Sequence, residues 1–492
     1  MTIRLTAHNL ADLSSRAEIP SYNRLGLSAG IVHFGIGNFH RAHQAVYLNA
    51  LFNIGRDHDW AVIGAGVLSS DKQIRQVLAA QDFLTTVIEQ SASRSTARIT
   101  GSMIDFLSPD DTVAIIDKLC DPAIRIVSLT ITEGGYFIDS ATNVFDVDNP
   151  QILSDAATPE NPKTVFGLIV AALKRRREAR LQPFTIMSCD NIPHNGVVSR
   201  NAVVGLAKLT NPEFAQWIQN KVAFPNGMVD RITPATGDRE REIIVRDYGI
   251  EDGWPVFCED FTQWVLEDKF PAGRPALETV GVTFVPDVTP YETMKIRILN
   301  GGHAIIAYPA GLMDIHFAHE AMEHQLIRSF LEKVERDEII PTVPPVPDTD
   351  LEDYFRQIEE RFANPKIGDT IRRLCFDGSN RQPKFIIPPI VDRLKAGEVV
   401  EGLALGSALW CRYCFGSTES GQNIEPNDPN WDRLTSAARA AKSNPATWLE
   451  MEDIYGNVSH SKLFCERFTS MLQAIWADGV EQVIKRYVDG SF

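Results

Sequence analysis

The sequence predicts an α/β domain followed by a mostly α-helical C-terminal domain. In the first half, short β-branched runs such as residues 31–34 and 60–63 alternate with stretches of helical periodicity. Strands separated by helices in this way form βαβ units on a parallel sheet. Later in the chain helical periodicity dominates. We therefore divide the chain into an α/β domain over residues 1–286 and a helical domain over residues 287–492.

The individual elements follow from the same patterns. The expected strands of the parallel sheet are residues 31–34, 60–63, 83–89, 124–132 and 184–188. The expected helices of the second domain include residues 316–336, 350–363, 387–397, 400–415, 431–442 and 461–476. Another helix is expected to begin at Thr289, because Pro290 suits the first helical position and Glu292 the capping-box position.

The charge balance excludes one class of function. The chain has 492 residues, with 48 Lys and Arg against 64 Asp and Glu, which gives a formal net charge of −16. Binding to a phosphate backbone requires a basic face. The dense basic run at residues 174–177 follows an apolar stretch and is expected to be a solvated helix end. We therefore expect no nucleic-acid partner.

Cysteine usage and hydropathy point to the cytoplasm. The seven cysteines are scattered and odd in number, which is typical of a reducing compartment. The N-terminus lacks the apolar core of a signal peptide, and no apolar stretch reaches about 18 residues. We expect a cytoplasmic protein without a membrane partner. The sequence leaves open whether the protein is a monomer or a small homo-oligomer.

Two patterns resemble metal sites without meeting their requirements. A zincin helix starting at His319 needs a second histidine at position 323, where the chain has Glu323. Cys411 and Cys414 have the spacing of a ligand pair, but no second pair completes a tetrahedral site. We therefore expect no metal ion.

A glycine-containing loop follows the first strand of the predicted sheet. Gly35-Ile36-Gly37 comes directly after residues 31–34, and residues 38–41 open the next helix. Glycines here permit a tight turn and close approach of a pyrophosphate, while the helix N-terminus offers free N–H groups. His40 replaces the third glycine of the usual fingerprint. The motif predicts a Rossmann-like domain with NAD as cofactor. The expected cofactor-binding residues are Phe34, Gly35, Ile36, Gly37, Asn38, Phe39, Arg41 and Asp71.

Asp71 is expected to bind the adenosine ribose, because it follows the second strand of the sheet. A carboxylate at this point favours NAD over NADP by repelling a 2′-phosphate. Lys72 and Arg75 lie nearby in sequence and would weaken that preference. The alternative is that Asp71 is simply the N-cap of a helix, and the sequence leaves both interpretations open.

The helix that begins at Thr289 carries four candidate catalytic side chains. At about 100° per residue from Lys295, Glu292 lies near 60°, His303 near 80° and Asn300 near 140°. A hydride-transfer enzyme needs such a set, with a base for the alcohol proton and neutral donors for the oxygen that gains charge. Spacing alone leaves open a surface lysine with a structural asparagine.

Six motifs resemble those of the long-chain, metal-independent polyol dehydrogenases, the family typified by mannitol 2-dehydrogenase. They occur in order along essentially the whole chain: IVHFGIGNFHRAHQA (31–45), RIVSLTITEGGY (125–136), FTIMSCDNIPHNG (184–196), FPNGMVDRI (224–232), QWVLEDKF (263–270) and DVTPYETMKIRILNGGH (287–303). The resemblance implies an NAD-dependent oxidoreductase that interconverts a sugar alcohol and its 2-ketose, with D-mannitol and D-fructose as the favoured pair.

The resemblance also implies roles for individual residues. Lys295 would be the general base in alcohol oxidation and the general acid in ketone reduction. Asn191 and Asn300 would polarise the reacting oxygen, and His303 would hydrogen-bond and orient the substrate. Glu292 would gate proton exchange between Lys295 and solvent.

Two further residues match family positions that bind the remaining substrate hydroxyls, namely Asp230 and Arg373. Structural salt bridges are the alternative for this pair, as a capping box is for Glu292. This chain departs from the family at residues 70–71, where relatives carry two acids and this chain has only Asp71, so that strict NAD preference is in doubt. It also has Gly302 where relatives often have serine, which would affect fine substrate preference.

Three alternative functions remain open. A fructuronate-type reductase needs a cation for the substrate carboxylate, which Arg373 could supply. Uronate-reducing relatives tend to carry a charged variant of the motif at residues 189–196, whereas the Ile-Pro-His form in this chain favours a neutral polyol. That polyol could also be sorbitol or D-arabinitol. A non-catalytic NAD-binding sensor is the alternative from a different class.

Overall fold

A computed structural model describes residues 2–138 and 144–492, in which the chain forms two compact units, Met1–Thr289 and Pro290–Phe492. All strands found in the described residues belong to the first unit, and the second is built from helices. The predicted fold class, an α/β domain followed by a mostly helical one, is confirmed. No helix among the described residues combines the length and apolarity needed to cross a membrane.

The first unit contains thirteen strands and ten α-helices within the described residues. The strands are β1 (Ile3–Arg4), β2 (Ala29–Phe34), β3 (Ala61–Ala65), β4 (Thr85–Gln90), β5 (Ser95–Thr100), β6 (Met103–Leu107), β7 (Ile126–Leu129), β8 (Thr185–Ser188), β9 (Gly227–Asp230), β10 (Ile250–Glu251), β11 (Val256–Glu259), β12 (Gln263–Glu267) and β13 (Thr283–Val285). The helices are α1 (Leu10–Leu13), α2 (Asn38–Ala42), α3 (Gln44–Asn53), α4 (Asp71–Ala79), α5 (Thr112–Leu119), α6 (Pro150–Ala157), α7 (Val165–Glu178), α8 (Asn195–Thr210), α9 (Pro212–Lys221) and α10 (Asp238–Ile243).

The central sheet of the first unit is parallel, with the strand order β6-β3-β2-β7-β8. Its first strand in sequence, β2, lies between β3 and β7, so the chain changes direction across the sheet at this point. Val32 and Phe34 face one core cluster and Ile31 faces another, because helices cover both faces of the sheet. In open α/β sheets a ligand binds outside the carboxyl ends of the strands at such a switch point.

The prediction for residues 83–89 is wrong in one respect. They form a strand, β4, but it belongs to a separate sheet with the order β11-β4-β5. The link from β4 to β5 spans only residues 91–94, and a connection this short can join only antiparallel neighbours. Strand β4 therefore forms a hairpin with β5 instead of joining the central sheet.

The core of the second unit contains two helices that are buried along almost their whole length. These are α12 (Gly301–Leu312) and α19 (Glu401–Cys414). The other helices are α11 (Thr289–Met294), α13 (Ala318–Glu323), α14 (Gln325–Val334), α15 (Leu351–Phe362), α16 (Ile371–Cys375), α17 (Gly378–Phe385), α18 (Ile387–Ala396), α20 (Trp431–Ala441), α21 (Ala446–Leu449), α22 (Glu452–Tyr455), α23 (Lys462–Asp478) and α24 (Val480–Val488). The candidate catalytic side chains lie at and before the N-terminus of the buried helix α12.

The basic run at residues 174–177 only partly fits the prediction of a solvated helix end. Arg175 and Arg177 form partly exposed ion pairs, but Arg176 is 2% exposed. Its guanidinium donates to the carbonyl oxygens of Leu119, at 2.7 Å, and Gln182, at 2.9 Å. The arginine therefore caps the C-terminal end of α5, a contact that local sequence does not reveal.

We predict that Arg176→Met lowers the free energy of unfolding by about 2–4 kcal/mol, because buried carbonyl groups lose a charged donor. Urea unfolding followed by circular dichroism measures this value. The matched control is Arg175→Met, which removes a half-exposed ion pair with Asp117 and should cost about 0–1 kcal/mol. Equal losses for the two variants would contradict the assignment.

Candidate active site

The glycine loop after β2 is tight on one side and open on the other. Gly35 has φ +93°, and a Cβ at this residue would lie 2.0 Å from the carbonyl oxygen of Thr130, so only glycine fits. Gly37 is exposed, and a Cβ there would have no neighbour closer than 4.0 Å. The loop therefore packs against the end of β7 while leaving open space in which a pyrophosphate can approach the backbone.

The polar side chains that follow this loop, Asn38 and Arg41, form hydrogen bonds with other groups of the protein. Arg41 is 1% exposed and donates to Asn38 Oδ1, at 2.8 Å, and to the carbonyl of Trp254. Burial lowers the pKa of Arg41 to about 10. The Asn38 amide donates to the Pro234 carbonyl at 2.9 Å and to Thr236 Oγ1 at 3.0 Å. This placement favours a role in holding the loop over direct side-chain contact with a cofactor.

The three apolar residues expected at the cofactor are packed in the first unit. Phe34 is 0% exposed and Ile36 is 4% exposed. Phe39 stacks on His43, with the ring centroids 4.9 Å apart. Phe34 and Ile36 can therefore reach a cofactor only through their backbone atoms.

Asp71 is not the N-cap of a helix, the alternative left open above, because Ser70 is the N-cap and Asp71 is the first residue of α4. Its Oδ2 accepts hydrogen bonds from the amides of Val67 and Leu68, both at 2.9 Å. The carboxylate therefore closes the loop between β3 and α4. Its Oδ1 has no hydrogen-bond partner in the described residues and is available to a ribose hydroxyl.

The two basic residues near Asp71 are held by other groups. Lys72 forms an ion pair with Asp110 at 2.8 Å, and Arg75 donates to the carbonyl of Phe106 at 2.6 Å. Both cations are therefore less free to attract a 2′-phosphate than the sequence suggested. This placement is consistent with a preference for NAD over NADP that depends on the carboxylate of Asp71.

Asn191 lies in an exposed loop after β8 that the preceding residue anchors. Asp190 Oδ2 accepts from the amide of Ile131 at 2.9 Å and from the hydroxyl of Tyr136 at 2.6 Å, and its Oδ1 accepts from the amide of Thr132 at 2.9 Å. Burial raises the pKa of Asp190. The anchoring roles of Asp190 and Tyr136 were not predicted, although both residues lie in family motifs.

Asp230 is the last residue of β9 and is 4% exposed. In the antiparallel ladder with β12 it stands opposite Gln263. The next residue, Arg231, is also buried and pairs with Glu89 at 2.7 Å. The β9 strand therefore presents a buried carboxylate at its carboxyl end.

The predicted continuous α-helix around Lys295 is interrupted. Helix α11 ends at Met294, the segment Lys295–Asn300 is a π-helix, and α12 starts at Gly301. The predicted angles at 100° per residue are therefore wrong, because a π-helix has wider turns and advances by less per residue. Single π-helical turns inside α-helices occur frequently at functional sites.

Lys295 and Glu292 are both buried on this interrupted helix, at 5% and 6% exposure. Lysine and glutamate are almost never fully buried in proteins unless they are paired. Each of the two makes at least one polar or electrostatic interaction. Burial of a base and an acid within one turn of each other is the expected setting for proton transfer.

Asn300 and His303 lie at the junction of the π-helix and α12. Asn300 is partly exposed, and His303 Nε2 is buried without a partner in the described residues. The His303 ring stacks on Phe362, with centroids 4.2 Å apart. Burial, followed by nearby arginines, holds the pKa of His303 well below its usual value. The imidazole is therefore neutral and can hydrogen-bond a hydroxyl group.

The arginines that act on His303 come from distant parts of the chain. They are Arg373, Arg361 and Arg381. Arg373 Nε donates to Asp369 Oδ1 at 2.6 Å, so the salt bridge considered as its structural alternative is present. Arg361 and Arg381 were not predicted as site residues, because no local sequence pattern indicates their electrostatic effect on His303.

Gly302, the residue at which relatives often have serine, lies next to a buried carboxyl group. A Cβ at this residue would lie 3.1 Å from Glu335 Oε1, a carboxyl oxygen that is buried without a partner in the described residues. Burial raises the pKa of Glu335 well above its usual value. A serine at this position would meet a neutral carboxyl group, whereas glycine leaves that group without a partner.

The arrangement in the second unit suits acid–base chemistry on an alcohol. Residues 295–303 combine a buried amine, a partly exposed amide and a neutral imidazole whose Nε2 has no partner in the described residues. In the described part of the chain, no group of three or more His, Cys, Asp or Glu side chains is placed to hold a metal ion.

Two family models together match most of the chain. The mannitol dehydrogenase Rossmann domain matches residues 29–279, and the mannitol dehydrogenase C-terminal domain matches residues 287–476. Among curated proteins, the mannitol 2-dehydrogenase of Cereibacter sphaeroides is 59% identical over 95% of this chain and 98% of its own length. The mannitol 2-dehydrogenase of Aspergillus terreus is 40% identical over 99% of both chains.

Two solved structures are similar over nearly the whole length. One is the Pseudomonas fluorescens mannitol 2-dehydrogenase in a ternary complex with NAD and D-mannitol, with a TM-score of 0.88 and 42% identity over 99% of this chain and 100% of that one. The other is a D-sorbitol dehydrogenase in substrate-free form, with a TM-score of 0.92 and 36% identity over 98% of this chain and 100% of that one. The chain belongs to the mannitol dehydrogenase family.

Proposed function

We propose that the protein is an NAD-dependent oxidoreductase that interconverts D-mannitol and D-fructose. The observation that carries this proposal is the buried Lys295, which lies on the same short segment as Asn300 and His303. The Nε2 atom of His303 is buried without a partner in the described residues. The 59% identity to a mannitol 2-dehydrogenase supports the substrate. A similar solved structure contains NAD and D-mannitol, which supports the pair of ligands.

The residues of the first unit fit NAD. The loop at Gly35 and Gly37 lies at the switch point of the sheet, and its open side admits a pyrophosphate. Asp71 Oδ1 is available for the ribose, and the carboxylate disfavours the 2′-phosphate of NADP. When bound, NAD supplies the acceptor for the hydride that leaves the carbinol carbon of the substrate.

Lys295 is the proposed general base. Its Nζ takes the proton of the hydroxyl during oxidation and returns it to the ketone oxygen during reduction. Asn191 and Asn300 donate amide hydrogen bonds to this oxygen, whose negative charge grows in the transition state. Glu292, buried within one turn of Lys295, passes the proton between the lysine and solvent.

Three residues are proposed to orient the rest of the substrate. His303 Nε2 hydrogen-bonds a hydroxyl neighbouring the reacting carbon, and Asp230 accepts from a further hydroxyl. Arg373 spends Nε and one terminal nitrogen on Asp369, so its remaining terminal nitrogen is the group left for substrate. These contacts fix the carbinol carbon in place, which reduces the entropy lost in the transition state.

We also propose a cytoplasmic location. All seven cysteines are unpaired, and five of them are buried. Burial raises the pKa of these thiols, for example that of Cys375 to about 12, so they are unreactive. Unpaired thiols of this kind are typical of proteins kept in a reducing compartment.

The substrate is tested with a panel of polyols and ketoses, including D-mannitol, D-sorbitol, D-arabinitol, D-fructose and D-fructuronate, each with NAD(H) and NADP(H). We expect the highest kcat/KM for D-mannitol and D-fructose with NAD(H). The similar D-sorbitol dehydrogenase structure makes sorbitol the main competing polyol. Three arginines near His303 favour fructuronate as the second candidate. Preference for any other compound would contradict the proposed substrate.

Lys295→Ala should lower kcat by about 10²–10⁴-fold, because general acid–base catalysis contributes that factor. The Kd for NADH, measured by fluorescence titration, should stay near the wild-type value. Lys462→Ala is the control, because this lysine is 89% exposed and far outside the site. Full turnover in the Lys295 variant would mean that another group is the base.

Asp71→Asn should raise the ratio of kcat/KM for NADP to that for NAD by at least about tenfold, because a like-charge contact worth more than about 1.4 kcal/mol is removed. Asparagine keeps a side-chain oxygen that can accept from the Val67 and Leu68 amides, so the loop is preserved. Asp12→Asn is the matched control, because Asp12 is an exposed carboxylate in α1 of the same unit. An equal loss of both activities would show that Asp71 only holds the loop.

A further inference from the structure

His33 lies buried beneath the glycine loop and connects it to the sheet. The ring is 0% exposed at the end of β2. Its Nδ1 lies 2.7 Å from Ser128 Oγ, and its Nε2 lies 2.8 Å from Thr130 Oγ1 and 3.2 Å from the carbonyl oxygen of Gly35. One side chain therefore joins the carboxyl ends of β2 and β7 to the first residue of the loop.

The ring is held in a fixed position and stays neutral. The His40 ring stacks on one face of the His33 ring, with centroids 3.7 Å apart, and covers that face. Ser128 Oγ also lies 3.1 Å from the side-chain amide of Gln44. Burial lowers the pKa of His33 to about 3. In the neutral tautomer with hydrogen on Nε2, the Ser128 hydroxyl donates to Nδ1, and Nε2–H donates to the Thr130 hydroxyl and the Gly35 carbonyl.

The carbonyl of Gly35 is held toward the interior by three donors. Besides His33 Nε2, the Thr130 hydroxyl donates to it at 2.6 Å and the Gly37 amide at 2.7 Å. The Gly35–Ile36 peptide is trans, so its N–H points away from its carbonyl. The Ile36 N–H therefore points away from the interior, and it has no hydrogen-bond partner in the described residues.

We propose that His33 is a positioning residue for the cofactor, which keeps the Gly35 carbonyl turned inward so that the Ile36 N–H is presented to the phosphates of NAD. The inference rests on the proposed NAD-dependent activity and adds a residue outside the glycine motif to it. His33 acts only through the loop. Its loss weakens dinucleotide binding and leaves the proton chemistry at Lys295 intact.

The test compares three substitutions that differ in which end of the ring they replace. His33→Gln places an amide donor near the position of Nε2, His33→Asn places one near Nδ1, and His33→Leu removes both. We expect the Kd for NADH to rise about tenfold or more in the Leu and Asn variants, as for loss of a buried hydrogen bond of about 1.4 kcal/mol. The Gln variant should stay within about threefold of wild type, because it keeps the donor to Gly35.

Steady-state kinetics separate positioning from general damage. The KM for NAD should rise in parallel with the Kd for NADH, while kcat at saturating NAD and the KM for mannitol should change by less than about threefold. His58→Gln is the control, because His58 hydrogen-bonds the Phe52 carbonyl in the same unit, away from the loop. If the His33 variants do not fold, Thr130→Val against Thr130→Ser tests the same carbonyl clamp.

Three results would overturn the inference. They are wild-type NADH affinity in His33→Leu, equal affinity in the Asn and Gln variants, and a fall in kcat without a change in NADH affinity. In the Thr130 pair, equal NADH affinity for Val and Ser would have the same meaning. A wild-type protein that binds no NADH would instead overturn the proposed function, so the two failures are distinguishable.

Discussion

The cofactor side of the protein depends on the close approach of β2 and β7 at their carboxyl ends. Residue 35 lies so near the Thr130 carbonyl that a single additional carbon would lie 2.0 Å from its oxygen. Only glycine permits this approach, and with φ +93° it turns the chain sharply away from the sheet. The inward carbonyl of Gly35 and the outward N–H of Ile36 both follow from this turn. The buried ring of His33 then fixes the turn in one orientation.

Two kinds of buried polar group occur near the candidate sites. Asp190 and Arg41 are hydrogen-bonded to neighbouring loops and hold them in place. Nε2 of His303, by contrast, is buried without a partner in the described residues. A buried polar group without a partner costs about 1–3 kcal/mol, and such a cost is typical of a site that a substrate will satisfy.

Most of the fold follows from local patterns, and the exceptions have identifiable causes. The strand predicted at 31–34 and the helix predicted at 431–442 form where periodicity places them, as β2 and α20. Strand β4 does not join the central sheet, because its partner is decided by the short turn to β5. Arg176 is buried because carbonyls at the end of α5 lie against it. Local sequence does not reveal that β4 pairs with β5, or that Arg176 contacts the end of α5.

By itself, the sequence determined the fold class, the position of the glycine loop and the family to which the chain belongs, because these depend on local periodicity and on motifs that occur in order along the chain. Only the tertiary structure decided that the segment carrying Lys295 is a π-helix, that three distant arginines act on His303, and that His33 holds the Gly35 carbonyl. The physical reason is that hydrogen bonding, burial and charge at these residues come from neighbours far away in sequence, which folding alone brings together.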